Sequence, residues 1–167
     1  LAGDVNIAQL QAWSSNSMLS HISGESAYQA NIVLFNQPSR AQEGFVEVRS
    51  DLKGIDIAMP VPFHKSADQT RGLIYKVTGE KASQRLEVTY DQIMSAELLY
   101  KDSRMNAGKV LFGKRSVPPS IFDGATSYGM VSNRVVILGE IEKINIDQWR
   151  WFLKEHERKK QESMLHQ

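Results

Sequence analysis

Gly72-Leu73-Ile74-Tyr75-Lys76-Val77-Thr78 and, a few residues on, Arg85-Leu86-Glu87-Val88-Thr89-Tyr90 decide the fold class. Leu73, Tyr75 and Val77 fall on one face of an extended segment, and Leu86, Val88 and Tyr90 on one face of the next. The two segments pair as a hairpin across Gly79-Glu80-Lys81-Ala82-Ser83-Gln84. Period-2 alternation recurs upstream. Ile55, Ile57, Met59, Val61 and Phe63 alternate with Asp56, Ala58, Pro60, Pro62 and His64. Pro60 and Pro62 cannot donate to a ladder, so Gly54–Phe63 is expected at an edge, or as a strand that leaves the sheet midway.

Farther out, Tyr28–Phe35, Phe45–Arg49 and Lys109–Arg115 read as strands. Arg134–Ile144 is apolar on both sides through Leu138, which predicts a strand in the middle of the sheet. Asp4–Ile22 reads as a short helix with Asp4 as N-cap, weakened by Ser14-Ser15-Asn16-Ser17, whose side chains compete for backbone hydrogen bonds. Asp91–Lys101 reads as another short helix, with Met94 and Leu98 at i, i+4. Val117–Tyr128 is irregular, and Asn145 with Gln148 three residues on opens a C-terminal helix in a capping-box arrangement. The expected fold is α+β: a mostly antiparallel sheet or partly open barrel of about six or seven strands, a short N-terminal helix and a long C-terminal one. Residues 1–145 would form one core domain, and residues 146–167 a helix docked on it at its start and projecting at its end.

The chain of 167 residues is long enough to bury a core, and its 41% hydrophobic content is too high for a disordered segment. With no Cys, thiolate catalysis, disulfides, Cys-ligated zinc and iron–sulfur clusters are all excluded. The lack of Cys suits either side of a membrane, with the cytoplasm slightly favoured. No run approaches the ~20 apolar residues of a membrane-spanning helix. Leu1-Ala2-Gly3-Asp4 has neither an initiator Met nor the start of a signal peptide, so the chain is expected to be a processed product or an excised piece.

Charge is nearly balanced, at 20 Lys and Arg against 19 Asp and Glu, but it is unevenly spread. Lys101, Arg104, Lys109, Lys114 and Arg115 form a basic cluster interrupted only by Asp102, with Phe112 among them. Cations for phosphates and an aromatic for base stacking make Lys101, Arg104, Lys109, Phe112, Lys114 and Arg115 the candidate nucleic-acid contacts. A solvated loop around a buried Phe is the bland reading of the same residues. Gly108–Lys114 spells G-x-x-x-x-G-K, but Arg115 stands where a phosphate loop needs Ser or Thr, and Val110-Leu111-Phe112 favours extended structure.

No metal is expected, because His21, His64, His156 and His166 show no ligand spacing. Nor is any other cofactor. On the C-terminal helix Trp149, Phe152, Leu153, His156, Lys160 and Met164 share one face, while Trp151, Arg158 and Leu165 share the opposite one. The latter three are the candidate contacts for a protein partner or a second copy. Together these features suggest a non-enzymatic binding or assembly module, with nucleic acid as one candidate ligand. The alternatives are an interaction subunit of a larger assembly, or a small-molecule enzyme using His64 or His21 with Glu140 or Asp91.

Overall fold

The hairpin at residues 73–90 forms the centre of the sheet. The computed structural model describes residues 1–14, 17–34, 44–80, 83–113 and 134–165. In it β5 (Leu73–Glu80) and β6 (Ser83–Tyr90) pair antiparallel in register from Leu73↔Tyr90 to Glu80↔Ser83. Around them lie β1 (Ala2–Asn6), β2 (Ile22–Val33), β3 (Phe45–Ser50), β7 (Met94–Lys101), β8 (Arg104–Phe112) and β9 (Arg134–Gly139). The spatial order is β1-β2-β3-β5-β6-β7-β8-β9, and the three-residue β4 (Ile55–Ile57) pairs with the beginning of β2. Among the described residues every pairing is antiparallel except β8 with β9. The fold is therefore α+β with a large, mostly antiparallel sheet, and the described residues form nine strands and two α-helices, α1 (Ile7–Trp13) and α2 (Ile146–Leu165).

The two extra strands come from segments whose spacing suggested helix. Met94 and Leu98 four apart share a face of a helix, but an even spacing also shares a face of a strand. The segment is β7, entered through a turn in which Asp91 takes φ 49°. Cross-strand packing against Leu86 and Tyr90 on one side and Gly108 and Phe112 on the other decides between the two periods. At the N-terminus, Ala2–Asn6 adds β1 to β2, and the helix is only Ile7–Trp13. Its cap is Asn6 rather than Asp4, since Asn6 Oδ1 accepts from the Ala8 amide at 2.9 Å. A 3-10 turn, Ser17–His21, follows.

One further expectation is corrected. Arg134–Gly139 is the last strand in the order, not a central one, and it pairs only with β8 among the described residues. Its apolar run reflects exposed apolar side chains, not burial on two sides. Gly54–Phe63 leaves the sheet midway, as its prolines indicate: it keeps strand pairing only over Ile55–Ile57 and then turns through Met59–Phe63. Lys114 and Arg115, the irregular Val117–Tyr128, and His166 lie outside the described residues.

The tight β7–β8 turn places Asp102 and Ser103 at φ 49° and 62°, the left-handed pair of a primed hairpin turn. Gly24 and Gly54 are required where β2 and β4 approach each other. A Cβ on Gly24 would lie 2.1 Å from the Gly54 carbonyl oxygen, and one on Gly54 2.2 Å from that of Glu25. Both have positive φ, which only glycine adopts at no steric cost.

Ile7, Ile55, Ile57 and Tyr90 form the buried core, joined by Leu10, Ile22, Leu52, Met59, Phe63, Leu73, Ile93 and Met94. These residues bring α1, β4 and the Met59–Phe63 turn over one end of the sheet. Lys65 is fully buried beside them, and its ammonium donates to the carbonyls of Ile55 at 2.7 Å and Ser66 at 3.0 Å. Loss of water around the ammonium, then the positive charge of Arg71, lowers its pKa against the pull of Asp56, Asp68 and Asp51.

Helix α2 starts as its sequence indicates: Asn145 Oδ1 accepts from the Gln148 amide at 3.0 Å. A chain of rings then carries it to the core. Phe63 meets Tyr90 and Phe112 at 6.1 Å each and Trp149 at 6.0 Å, and Trp149 meets Phe152 at 5.6 Å. The Trp149 indole N–H donates to the Val61 carbonyl at 2.9 Å.

Candidate functional site

The register of the eight-strand path sorts its side chains into rows, and the rows give the two faces opposite chemistry. One face carries Ile32, Val46, Val77, Leu86, Leu98, Gly108 and Val135 in a line across seven strands. The adjacent line is Ala30, Val48, Tyr75, Val88, Ala96, Val110 and Ile137. A third line, Ser50, Leu73, Tyr90, Met94, Phe112 and Gly139, runs under the core and the aromatic chain. Seven strands at ~4.8 Å spacing make each full line about 29 Å long. The apolar face is covered at the third line, yet Ile32, Val46, Tyr75, Val135 and Ile137 on the other two are exposed, Ile137 to 65%.

The opposite face is charged. Its central line is Asn31, Glu47, Lys76, Glu87, Glu97, Lys109 and Val136. Arg49 donates to Glu47 at 2.7 Å and holds that carboxyl below its ordinary pKa. Lys76 lies 3.8 Å from Glu87, and Arg85 3.4 Å from Glu97. Lys76 also sits over the Phe45 ring, 5.0 Å from its centre. Glu87 and Glu97 face each other directly across β6 and β7, an arrangement that repels unless cations flank it. Lys76, Arg85 and Lys109 supply those cations. A depression of about 560 Å³ opens here, lined by Arg85, Glu87, Thr89, Ser95, Glu97, Leu99, Lys109 and Leu111 among others.

The basic cluster is divided by this architecture. Lys101 and Arg104 are exposed partners at the tip of the β7–β8 hairpin. Lys109 is only 4% exposed, on the charged face opposite Glu97. Phe112 faces the other way and packs against Phe63. Lys109 and Phe112, three residues apart in a strand, cannot serve one surface. Of the helix residues, Trp151 is 68% exposed, whereas its neighbour Phe152 is 4% exposed. Arg158 is exposed and ion-paired with Glu155, and Leu165 ends α2.

Histidines gather at one place. His156 Nε2 is 3.0 Å from Ser17 Oγ, and its Nδ1 is 3.3 Å from His21 Nε2. His64 is exposed in the turn after β4, and Asp91 and Glu140 are exposed elsewhere. The depression holds two carboxylates and no histidine, so neither His64 nor His21 is joined there to a carboxylate. Among the described residues no group of three His, Cys, Asp or Glu could hold a metal ion, and no helix is long and apolar enough to cross a membrane. The charged line is assembled by register from single residues of separate strands, one of which, β7, reads as a helix in sequence. The His21–His156 contact spans 135 residues and leaves no mark in sequence.

Fold and faces together define a chain built on one broad, mostly antiparallel sheet, apolar on one side and charged on the other. It belongs to the YhdP protein family, whose family model matches residues 1–167. No curated protein and no solved structure matches it.

Proposed function

We propose that this chain is a non-enzymatic binding module whose working surface is the apolar face of the sheet, and that its ligand is an elongated aliphatic group. The observation that carries the reading is the pair of apolar lines from Ile32 to Val135 and from Ala30 to Ile137, exposed at Ile32, Val46 and Tyr75 toward one end and at Val135 and Ile137 at the other. A hydrocarbon laid across them gains ~25 cal/mol for each Å² of apolar surface removed from water. The opposite face, with its line of ion pairs, has no comparable affinity for such a ligand.

The test is a fluorescence titration with dansylaminoundecanoic acid. Saturable, blue-shifted enhancement is expected, weakened about tenfold or more by Val46→Lys or Tyr75→Lys, since a charge under the chain cancels the burial of a side chain. Lys76→Ala, one residue from Tyr75 but on the other face, leaves binding within about twofold. Equal loss in Tyr75→Lys and Lys76→Ala, or no binding, overturns the reading.

A second surface has its own support. Trp151 stands in water beside a buried Phe152, and an exposed Trp two turns before Arg158 on the same side of the helix suits a protein partner or a second copy. Trp151→Ala lowers self-association in analytical ultracentrifugation if this surface joins copies. Nucleic acid is the less supported ligand, because of the candidate cations among the described residues only Lys101 and Arg104, at the hairpin tip, are exposed. A salt-insensitive anisotropy trace with labelled single-stranded oligonucleotide removes it.

A further inference from the structure

Where α2 meets the Ser17–His21 turn, two imidazoles bring ring nitrogens together: His21 Nε2 lies 3.3 Å from His156 Nδ1. The other nitrogen of His156, Nε2, is 3.0 Å from Ser17 Oγ. With Nε2–H donating to that hydroxyl, Nδ1 is bare and accepts the N–H of His21. Phe152, 4% exposed, walls the pair, its ring 4.5 Å from the His21 ring centre and at 13° to the ring of His156. Both histidines keep part of their surface in water. The separation of the two nitrogens is that of two ligands on one metal ion. Nitrogens ~2.05 Å from a tetrahedral ion stand about 3.3 Å apart. Aiming both lone pairs at the ion brings the ring centres from 5.5 Å to about 5.1 Å, a tilt that the soft terminal torsion of histidine accommodates.

We propose that His21 and His156 form a binding site for a divalent late transition-metal ion, Zn²⁺ being the type case, which takes the place of the proton between His21 Nε2 and His156 Nδ1. The displaced proton passes to His21 Nδ1, so each ring binds as neutral imidazole. Imidazole nitrogen suits zinc, copper and nickel, whereas magnesium and calcium take oxygen donors. Ser17 is the outer partner that fixes which nitrogen of His156 faces the ion. Two protein ligands leave the remaining positions to water, the open coordination of an exchangeable ion and not the closed one of structural zinc. The two residues are 135 apart in the chain, so no ligand spacing in the sequence announces them. The ion would tie the 3-10 turn to α2 through one residue of each and stabilise that contact by mass action. The site stands whether or not the apolar face takes a ligand.

Isothermal titration calorimetry with zinc chloride at neutral pH tests it. Saturable binding of one ion per chain is expected, weakened about tenfold or more in His21→Gln and in His156→Gln. His64→Gln, in the turn after β4, leaves it within about twofold. Imidazole ¹⁵N shifts of the wild type identify the ligating nitrogens without relying on the variants. Zinc should move the resonances of His156 Nδ1 and His21 Nε2, and magnesium should move neither. No binding, binding unchanged in either variant of the pair, or zinc shifts confined to His64 and His166 overturns the proposal.

Discussion

Removing the Phe152 ring separates a helix that is docked from one that merely lies nearby. Phe152 is 4% exposed and its ring contacts His21, Trp149 and His156 at 4.5, 5.6 and 6.5 Å. Phe→Ala at such a site costs ~3–5 kcal/mol when the surroundings cannot collapse into the space. Two anchors remain in the variant, the Trp149–Val61 hydrogen bond and the Ser17–His156–His21 chain. The loss should therefore be read first as opening of α2, a rise of two orders of magnitude or more in its amide exchange at neutral pH for about 3 kcal/mol. In thermal unfolding by far-UV circular dichroism, any part that reaches the global transition lowers Tm by ~2–4 °C per kcal/mol for a chain of this size. Trp151→Ala is the matched control. It removes a larger ring from the next residue, but one that is 68% exposed, and should change stability by no more than about 0.5 kcal/mol. Equal effects of the two substitutions, or less than about 1 kcal/mol for Phe152→Ala, would refute this description of how α2 is held.

Three other outcomes follow from the geometry. Gly54→Ala, with φ at +91° and a Cβ 2.2 Å from the Glu25 carbonyl oxygen, should cost at least ~2 kcal/mol in urea unfolding. Gly72→Ala, whose Cβ would meet nothing within 4 Å, should be neutral or gain up to ~1 kcal/mol. Lys65 gives a pH dependence whose sign is fixed: burial lowers its folded pKa, so above that value the unfolded chain binds more protons and stability rises with pH toward the ordinary lysine range. Lys65→Met should flatten that rise in urea midpoints collected between about pH 7.5 and 9.5, below the ordinary tyrosine range where the raised pKa of Tyr90 begins to act the other way.

The elements that read correctly from sequence are those in which local pattern and long-range packing agree. The 73–90 hairpin needs only two alternating runs and a short connection, so its partners are neighbours in the chain. The cap of α2 is equally local, one side chain and the amide three residues on. The misread elements are those in which two periods fit the same residues. Met94 and Leu98 satisfy both helix and strand, and only the contacts of Met94 with Tyr90 and Phe112 and of Leu98 with Leu86 and Gly108 choose the strand. Arg134–Gly139 looked central because apolar residues fill both of its sides. Position in a sheet depends on which strands remain to pair, however, and a six-residue segment carries no record of that.

The same distinction explains what became of the candidate site. A charge cluster is a property of sequence, whereas a charged face is a property of register. Lys101 and Arg104 sit at a turn, Lys109 points to one side of β8 and Phe112 to the other, so these four residues do not share one face of the strand. Conversely, the charged line from Glu47 to Lys109 draws single residues from β3, β5, β6, β7 and β8, none of which stands out in its own segment. The aliphatic lines on the other side arise in the same way, one or two residues per strand, alternating with the charges. Each strand pays for its solvated half with polar side chains, and the alternate positions are then free to be apolar whether or not anything covers them. Among the described residues the closest covering is at the end where Ile55, Phe63 and Trp149 close over Tyr90 and Phe112. Beyond that end Ile32, Val46, Tyr75, Val135 and Ile137 on the same side of the sheet are exposed, so the apolar half of the alternation extends past the residues that bury it.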